Sequence, residues 1–268
     1  MNTTPAAGWD CHVHVFDGQA SLPGHYSPPL RTLPTLEEAA AQIAVSRFVL
    51  VQPSIYGTDN RLLLEALRAG KGWHRGVVVV DASIDDRALR QMDDLGVRGV
   101  RFNLVSPVGN SQEALSHLAP RLRELRWHVQ WYARTSHLAQ VAAFHERHEL
   151  IGVLDHLAGM TNSLAPDSTA WEELRRIAGR GGWLKLSGWY RLDSMAPYAD
   201  LHDTIRCAAT LFGDRCVWGS DWPHTHFLET GSKQPTPAYG ETWLPVPRAL
   251  GEAFADRVLR LHPQRLYA

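Results

Sequence analysis

A chain of 268 residues is long for one simple domain and ordinary for a single α/β barrel. Its hydrophobic content of 44% is enough to fill a core, and a formal net charge of −1 excludes bulk electrostatic attraction to nucleic acid or to an anionic membrane. The three cysteines, Cys11, Cys207 and Cys216, form neither a CxxC nor an even framework, which fits a reduced protein with buried thiols.

The first residues carry neither the basic nor the apolar region of a signal peptide, and no apolar run approaches the ~18 residues of a membrane span. A soluble, cytoplasmic protein is the expectation. In chain order, short apolar runs alternate with longer amphipathic ones. Strand 10–15 precedes helix 36–43, strand 47–51 precedes helix 60–69, strand 76–80 precedes helix 84–95, and strand 99–102 precedes helix 112–125. Strand 128–132 then leads to helix 138–147, strand 151–154 to helix 171–178, strand 183–186 to helix 200–212, and strand 216–218 to a last helix over 246–259. The runs VLVQPS, VVVVDAS and IGVLDH are β-branched and nearly continuous, as parallel strands buried on both faces must be. Eight such units predict a (β/α)8 TIM barrel spanning residues 1–268 as one domain. An open doubly wound sheet would carry a Gly-rich fingerprint, which is absent. The Pro-rich stretches 21–34 and 229–243 read either as loops over the barrel mouth or as disordered surface loops.

Barrel enzymes place their working residues at the C-terminal ends of strands. Those ends read, in order, His12 and His14; Gln52, Pro53 and Ser54; Arg101 and Asn103; Tyr132 and Arg134; Asp155 and His156; Ser187 and Arg191; and Ser220, Asp221, Trp222, Pro223 and His224. An H-x-H pair on a strand aims both imidazoles to one side, because side chains alternate with period 2. Taken singly each element is weak: an H-x-H is more often two ordinary histidines, and Asp221 could simply cap a helix. Fourteen histidines raise the chance of metal or acid–base chemistry, although His74, His117, His145 and His148 lie in helical or loop patterns and read as surface residues.

Jointly, these motifs resemble the amidohydrolase superfamily, and within it the 2-pyrone-4,6-dicarboxylate lactonase-like branch. The resemblance is carried by DCHVHVF at 10–16, VQPSIYGTDN at 51–60, GVRGVRFN at 96–103, DH at 155–156, SGWYR at 187–191 and WGSDWPH at 218–224. It implies a hydrolase that opens a lactone ring. A lactonase needs a base for water and a stabiliser for the developing oxyanion. Asp221 is assigned as the base, and His12, His14 and His156 as N–H donors that polarise the carbonyl. The resemblance implies that Arg101 and Arg191 grip substrate carboxylates and that Ser54, Tyr132 and Tyr26 make polar contacts. Arg134, on the face of Tyr132, and His224 complete the expected binding set.

The superfamily's metal sites add a bridging lysine or glutamate and a strand-five histidine. Here the lysines are Lys71, Lys185 and Lys233, none near the end of the fourth or fifth strand, and Tyr132 stands at the strand-five position. His128 lies at the wrong end of that strand. On the residues alone one zinc ion on His12, His14 and Asp221 stays open as the alternative. The lactonases that the chain resembles work without a metal and carry tyrosine at this position, which implies a metal-independent enzyme without a cofactor. Two arginines of the dicarboxylate pattern are missing, at 104–107 and after His156. A small anionic lactone with fewer negative charges, or with its anion elsewhere, is the expected substrate. Alternatives are a zinc-dependent sugar lactonase, a decarboxylase, a lactone isomerase, or a silent barrel that only binds.

Overall fold

The computed structural model describes residues 7–19, 26–105, 111–231 and 235–268. Eight parallel strands pair in chain order: β1 (Gly8–Val13), β2 (Val45–Val51), β3 (Arg75–Val78), β4 (Val97–Asn103), β5 (His128–Tyr132), β6 (Gly152–Leu154), β7 (Trp183–Ser187) and β8 (Cys216–Gly219). The sheet closes where the chain just after β8 meets β1. Asp221 N–H donates to His12 O and His14 N–H donates to Trp222 O, both at 2.9 Å. The architecture is the expected (β/α)8 barrel, with all eight expected strands present.

The strands are apolar on both faces because each face has its own core. Inside the barrel pack Trp9, Cys11, Val49, Val51, Val77, Val153, Trp183 and Val217. Tyr267 joins this inner cluster from the C-terminal end of the chain, stacked on Trp9 with ring centres 6.1 Å apart and edge-on to His128 at 5.6 Å. Between sheet and helices lies the larger cluster, including Phe48, Phe102, Trp131, Leu154, Leu186 and Trp218. The helices that cover it include α1 (Leu33–Ala40), α2 (Arg61–Ala69), α3 (Asp86–Asp94), α4 (Gln112–Glu124), α5 (Leu138–His148), α6 (Thr169–Gly179) and α7 (His202–Phe212), with the helical stretches after residue 244 completing the ring. Their starts are chemically marked. Asp85 accepts the Ala88 N–H and Ser111 the Ala114 N–H, each filling an orphan donor of the first turn. Buried Asn60 ties the start of α2 to the end of β3 through both Val79 N–H and Val79 O.

Four expectations need correction. The last helix is not continuous: Gly251, at φ 77°, separates Pro245–Leu250 from Glu252–Arg260, and a further helix, His262–Tyr267, follows. His74 and His145 are buried, not superficial. His74 Nδ1 accepts the Phe48 N–H, and His145 bridges Leu150 O and the Trp131 indole N–H. Each ring occupies space that a glycine leaves open. A Cβ on Gly70 would lie 2.3 Å from His74 Cδ2, and one on Gly152 would lie 2.6 Å from His145 Nε2. Cys207 is exposed, whereas Cys11 and Cys216 are buried. Of the two Pro-rich stretches, residues 20–25 and 232–234 lie outside the described residues. A short ladder of Phe16–Asp17 with Leu30–Arg31 flanks the first.

Candidate active site

The β1–β2 register slips between Asp10 and Val13. Such an irregularity re-aims side chains. Trp9 and Cys11 fill the inner core, and the inward direction then passes to His12 and His14. Asp10 faces the seam, where it accepts the N–H groups of His12 and Ser220 and the Tyr239 hydroxyl. Burial pushes its carboxyl up to about 6, against those hydrogen bonds. Gly219 makes the closure possible, since a Cβ there would lie 2.5 Å from His12 Cβ.

Three imidazoles converge on one carboxylate oxygen. Asp221 Oδ1 lies 3.5 Å from His14 Nε2, 3.6 Å from His12 Nε2 and 3.9 Å from His156 Nε2. All four residues are buried. Asp221 (φ 60°) and His156 (φ 49°) both hold left-handed backbone, as do Leu157, Ala158 and His224. Left-handed backbone at non-glycine residues concentrates at working sites. Asp221 Oδ2 accepts the Tyr190 hydroxyl at 2.6 Å and Arg191 Nε at 2.7 Å. Burial would raise this carboxyl; the Arg191 guanidinium, then His156, outweigh burial and hold it well below the usual carboxylate range.

The far side of each imidazole sets what its near side offers. His14 Nδ1 meets the Val51 carbonyl at 2.7 Å and must donate to it, so a neutral His14 presents a lone pair at Nε2. His12 Nδ1 meets the Asp155 carboxylate at 3.2 Å, which favours the same tautomer, and the Lys185 ammonium at 3.3 Å, which opposes it. Burial keeps the His12 imidazole neutral by moving it well below its ordinary range. His156 Nδ1 instead meets the Ser187 hydroxyl at 2.9 Å, which can donate to it and leave Nε2–H free to donate. The partners behind the rings thus differ: a carbonyl behind His14, a carboxylate and an ammonium behind His12, and a hydroxyl behind His156. They bear on which rings can act as the expected N–H donors, and only the fold supplies them.

The same geometry suits a metal ion. His12 Nε2 is buried without a hydrogen-bond partner among the described residues, and His12, His14 and Asp221 bring one ligand atom each within 4.8 Å of one another. Acceptors behind ligand imidazoles are what metal-binding histidines require.

Above this floor opens a cavity of about 380 Å³, lined by His14 and by six of the seven residues expected to bind substrate: Tyr26, Ser54, Arg101, Tyr132, Arg134 and Arg191. Two guanidiniums lie over the Tyr132 ring, Arg191 at 5.6 Å and Arg101 at 5.9 Å from its centre. Arg101 also donates to Gln52 O, and Asn103 donates to Ser54 Oγ at 3.0 Å. The exception is His224. It is buried edge-on against Tyr190, 5.6 Å between ring centres, and does not line the cavity; its neighbours Thr225 and His226 do. Sequence reading also missed Tyr190, which adjoins Arg191 in the SGWYR stretch, and Lys185, whose inward parity with Trp183 and Ser187 was the available signal.

Residues 9–268 match the family described as Amidohydrolase. The chain is 31% identical over 242 residues to a 2-pyrone-4,6-dicarboxylate hydrolase of Comamonas testosteroni, covering 84% of this chain and 79% of the relative. It is 27% identical to a 4-sulfomuconolactone hydrolase of Hydrogenophaga intermedia, over 98% of this chain and 89% of that one. A solved structure from Pseudomonas putida, named for 2-pyrone-4,6-dicarboxylic acid hydrolysis, superposes with a TM-score of 0.86 at 28% identity, covering 98% of both chains.

Proposed function

The chain belongs to the amidohydrolase family, and from that premise we propose that it is a lactonase, hydrolysing the ring ester of a small carboxylated lactone. The observation that carries this reading is the convergence of His12, His14 and His156 on Asp221 Oδ1 beneath an arginine-lined cavity. Two lactone-opening relatives support it.

In this reading Arg101 and Arg134 receive the substrate carboxylate, since guanidinium matches its two oxygens. Arg191 is pinned by Asp221, so it adds charge to the cavity while orienting the base. The ring carbonyl lies over His156, whose Nε2–H donates to the oxygen as it gains negative charge. Water sits between Asp221 Oδ1 and the carbonyl carbon, steered by the lone pairs of His12 and His14. Asp221 takes one proton as the water oxygen bonds to carbon. The tetrahedral intermediate then expels the ring oxygen, and Asp221 returns the proton to that leaving oxygen. The products are the ring-opened hydroxy acid or its enol form.

A divalent ion such as zinc, if bound, would be held by His12, His14 and Asp221 and would supply polarisation of the carbonyl and a more acidic water. The lone-pair tautomer of His14 favours this version; Tyr132 at the strand-five position favours the metal-independent one. Metal analysis of protein purified without added metal separates them. Stoichiometric zinc with activity lost to a chelator establishes the metal version, and full turnover by metal-free protein establishes the other.

The test of function is a panel of carboxylated lactones, pyrone-dicarboxylate included, offered to wild type and to Asp221→Asn. Ring opening by wild type and its loss in the variant are expected. Isomerised lactone as the product would replace hydrolysis with isomerisation, and equal turnover by both proteins would remove Asp221 as base.

A further inference from the structure

Below the reacting groups lies a polar cluster that the hydrolysis as written does not use. Lys185 on β7 points into the barrel and is 0% exposed. Its Nζ donates to Gln130 Oε1 at 2.6 Å and lies 3.4 Å from Asp155 Oδ1 and 3.3 Å from His12 Nδ1. Gln130 Nε2 in turn donates to Asp155 Oδ2 at 3.0 Å, which closes the cluster. Asp155 Oδ1 is the oxygen that faces His12 Nδ1.

A space-filling position would not carry an ammonium. Burying one is costly unless it is paired and hydrogen-bonded. Burial pulls the Lys185 amine down from its ordinary range, and Asp155 acts against that shift. Asp155 is itself held well below the usual carboxylate range, because Lys185 and His12 outweigh its burial. Trp183, two residues earlier on the same inward face, is apolar. The charge pair thus appears where the inner face of β7 meets the His12 imidazole.

We infer that Lys185, acting through Asp155 and Gln130, is a positioning residue for the hydrolysis: the three side chains lock His12 in the orientation and tautomer that present its Nε2 lone pair beside Asp221. The inference rests on the lactonase reading. Lys185 keeps Asp155 an anion with a fixed direction, and that anion, 3.2 Å from His12 Nδ1, takes the Nδ1–H in competition with the ammonium 3.3 Å away, which would need a lone pair there. Without the ammonium, a buried carboxylate would have to turn or recruit another donor, and His12 would lose its anchor. Lys185 touches no substrate in this role and leaves the arginine-lined cavity unchanged.

The test uses Lys185→Met and the apolar pair Lys185→Met/Asp155→Leu, since an apolar replacement of both partners leaves no unpaired charge to unfold the barrel. In the folded double variant, KM for the lactone should stay within about threefold of wild type while kcat falls ~10–100-fold, the usual effect of removing a group that orients a site imidazole. A purely structural role predicts instead that kcat recovers with stability. A second readout needs no substrate. Long-range 1H–15N spectra, with His12 assigned by its absence in His12→Gln, should show one Nδ1–H tautomer in wild type and a tautomer mixture in the double variant. Unchanged kcat, or a single Nδ1–H tautomer retained in the double variant, overturns the inference. Should wild type open no lactone, it is the proposed function that fails, and the spectra alone then judge Lys185.

Discussion

Arg191 donates through Nε to Asp221 Oδ2 at 2.7 Å, so a cation expected to hold substrate already holds the proposed base. Its charge is what keeps the Asp221 carboxyl low against burial. A base held that low stays ionised across ordinary assay pH, so the acid limb of kcat/KM should lie well below pH 4. In Arg191→Gln the burial contribution is no longer opposed by the guanidinium. The limb should move to higher pH, with kcat/KM at pH 7 down by at least ~10-fold. Rate profiles over pH 3–8 check this, and an unmoved limb would assign the base elsewhere.

Asp221→Asn keeps the shape of the site and removes the proton acceptor. Turnover should fall ~10²–10⁴-fold. Substrate affinity should change little, because the carboxylate contacts are made by other residues. Single-turnover kinetics with equilibrium binding separates the two quantities.

Arg134 is exposed at the cavity rim, so replacing it should cost recognition and not folding. Arg134→Ala should weaken lactone binding at least ~10-fold, about the worth of one hydrogen bond to a charged group, with thermal stability unchanged. A wild-type Michaelis constant would take Arg134 out of the binding set.

Asp10 gives a stability signature of opposite sign to Asp155 and Asp221. Its folded-state pKa is raised to about 6. Its contribution is therefore fully present below the unfolded value near 4 and lost as pH rises through about 6, by about 3 kcal/mol. The lowered carboxyls contribute stability that is present above their unfolded values and lost on acidification. Denaturant midpoints of wild type and Asp10→Asn should accordingly favour wild type more at pH 4.5 than at pH 7.5. A gap that widens with pH would refute the assignment.

Gly219→Ala places a methyl 2.5 Å from His12 Cβ and 3.0 Å from His12 N. Backbone cannot yield there without parting the seam, so a loss of about 1–3 kcal/mol is expected, together with reduced turnover. Thermal melts and kcat report the two effects.

The barrel was legible because its strands are largely apolar, several of them β-branched and nearly continuous, and each helix carries its own period, signals that need no tertiary knowledge. His12, His14, His156 and Asp221 were legible as strand-end polar residues, which the fold then brings together. Their protonation was not legible. Val51 O faces Nδ1 of His14, and Asp155 and Lys185 face Nδ1 of His12; none of the three lies near its histidine in sequence. Lys185 looked like one cation in an apolar run, because its partners Gln130 and Asp155 come from other strands. His224 was misplaced for a related reason: the left-handed backbone at Asp221 and His224 turns the chain, so the ring packs behind Tyr190.

The seam between β1 and the segment after β8 is made of the peptide groups of His12, His14, Asp221 and Trp222. The bonds that finish the barrel are therefore also the bonds that create the reactive carboxylate–imidazole group. A refolding chain whose last strand has not yet docked holds Asp221 apart from His12 and His14. Turnover should emerge only with ring closure, so activity regained on refolding serves as a direct reporter of a closed barrel.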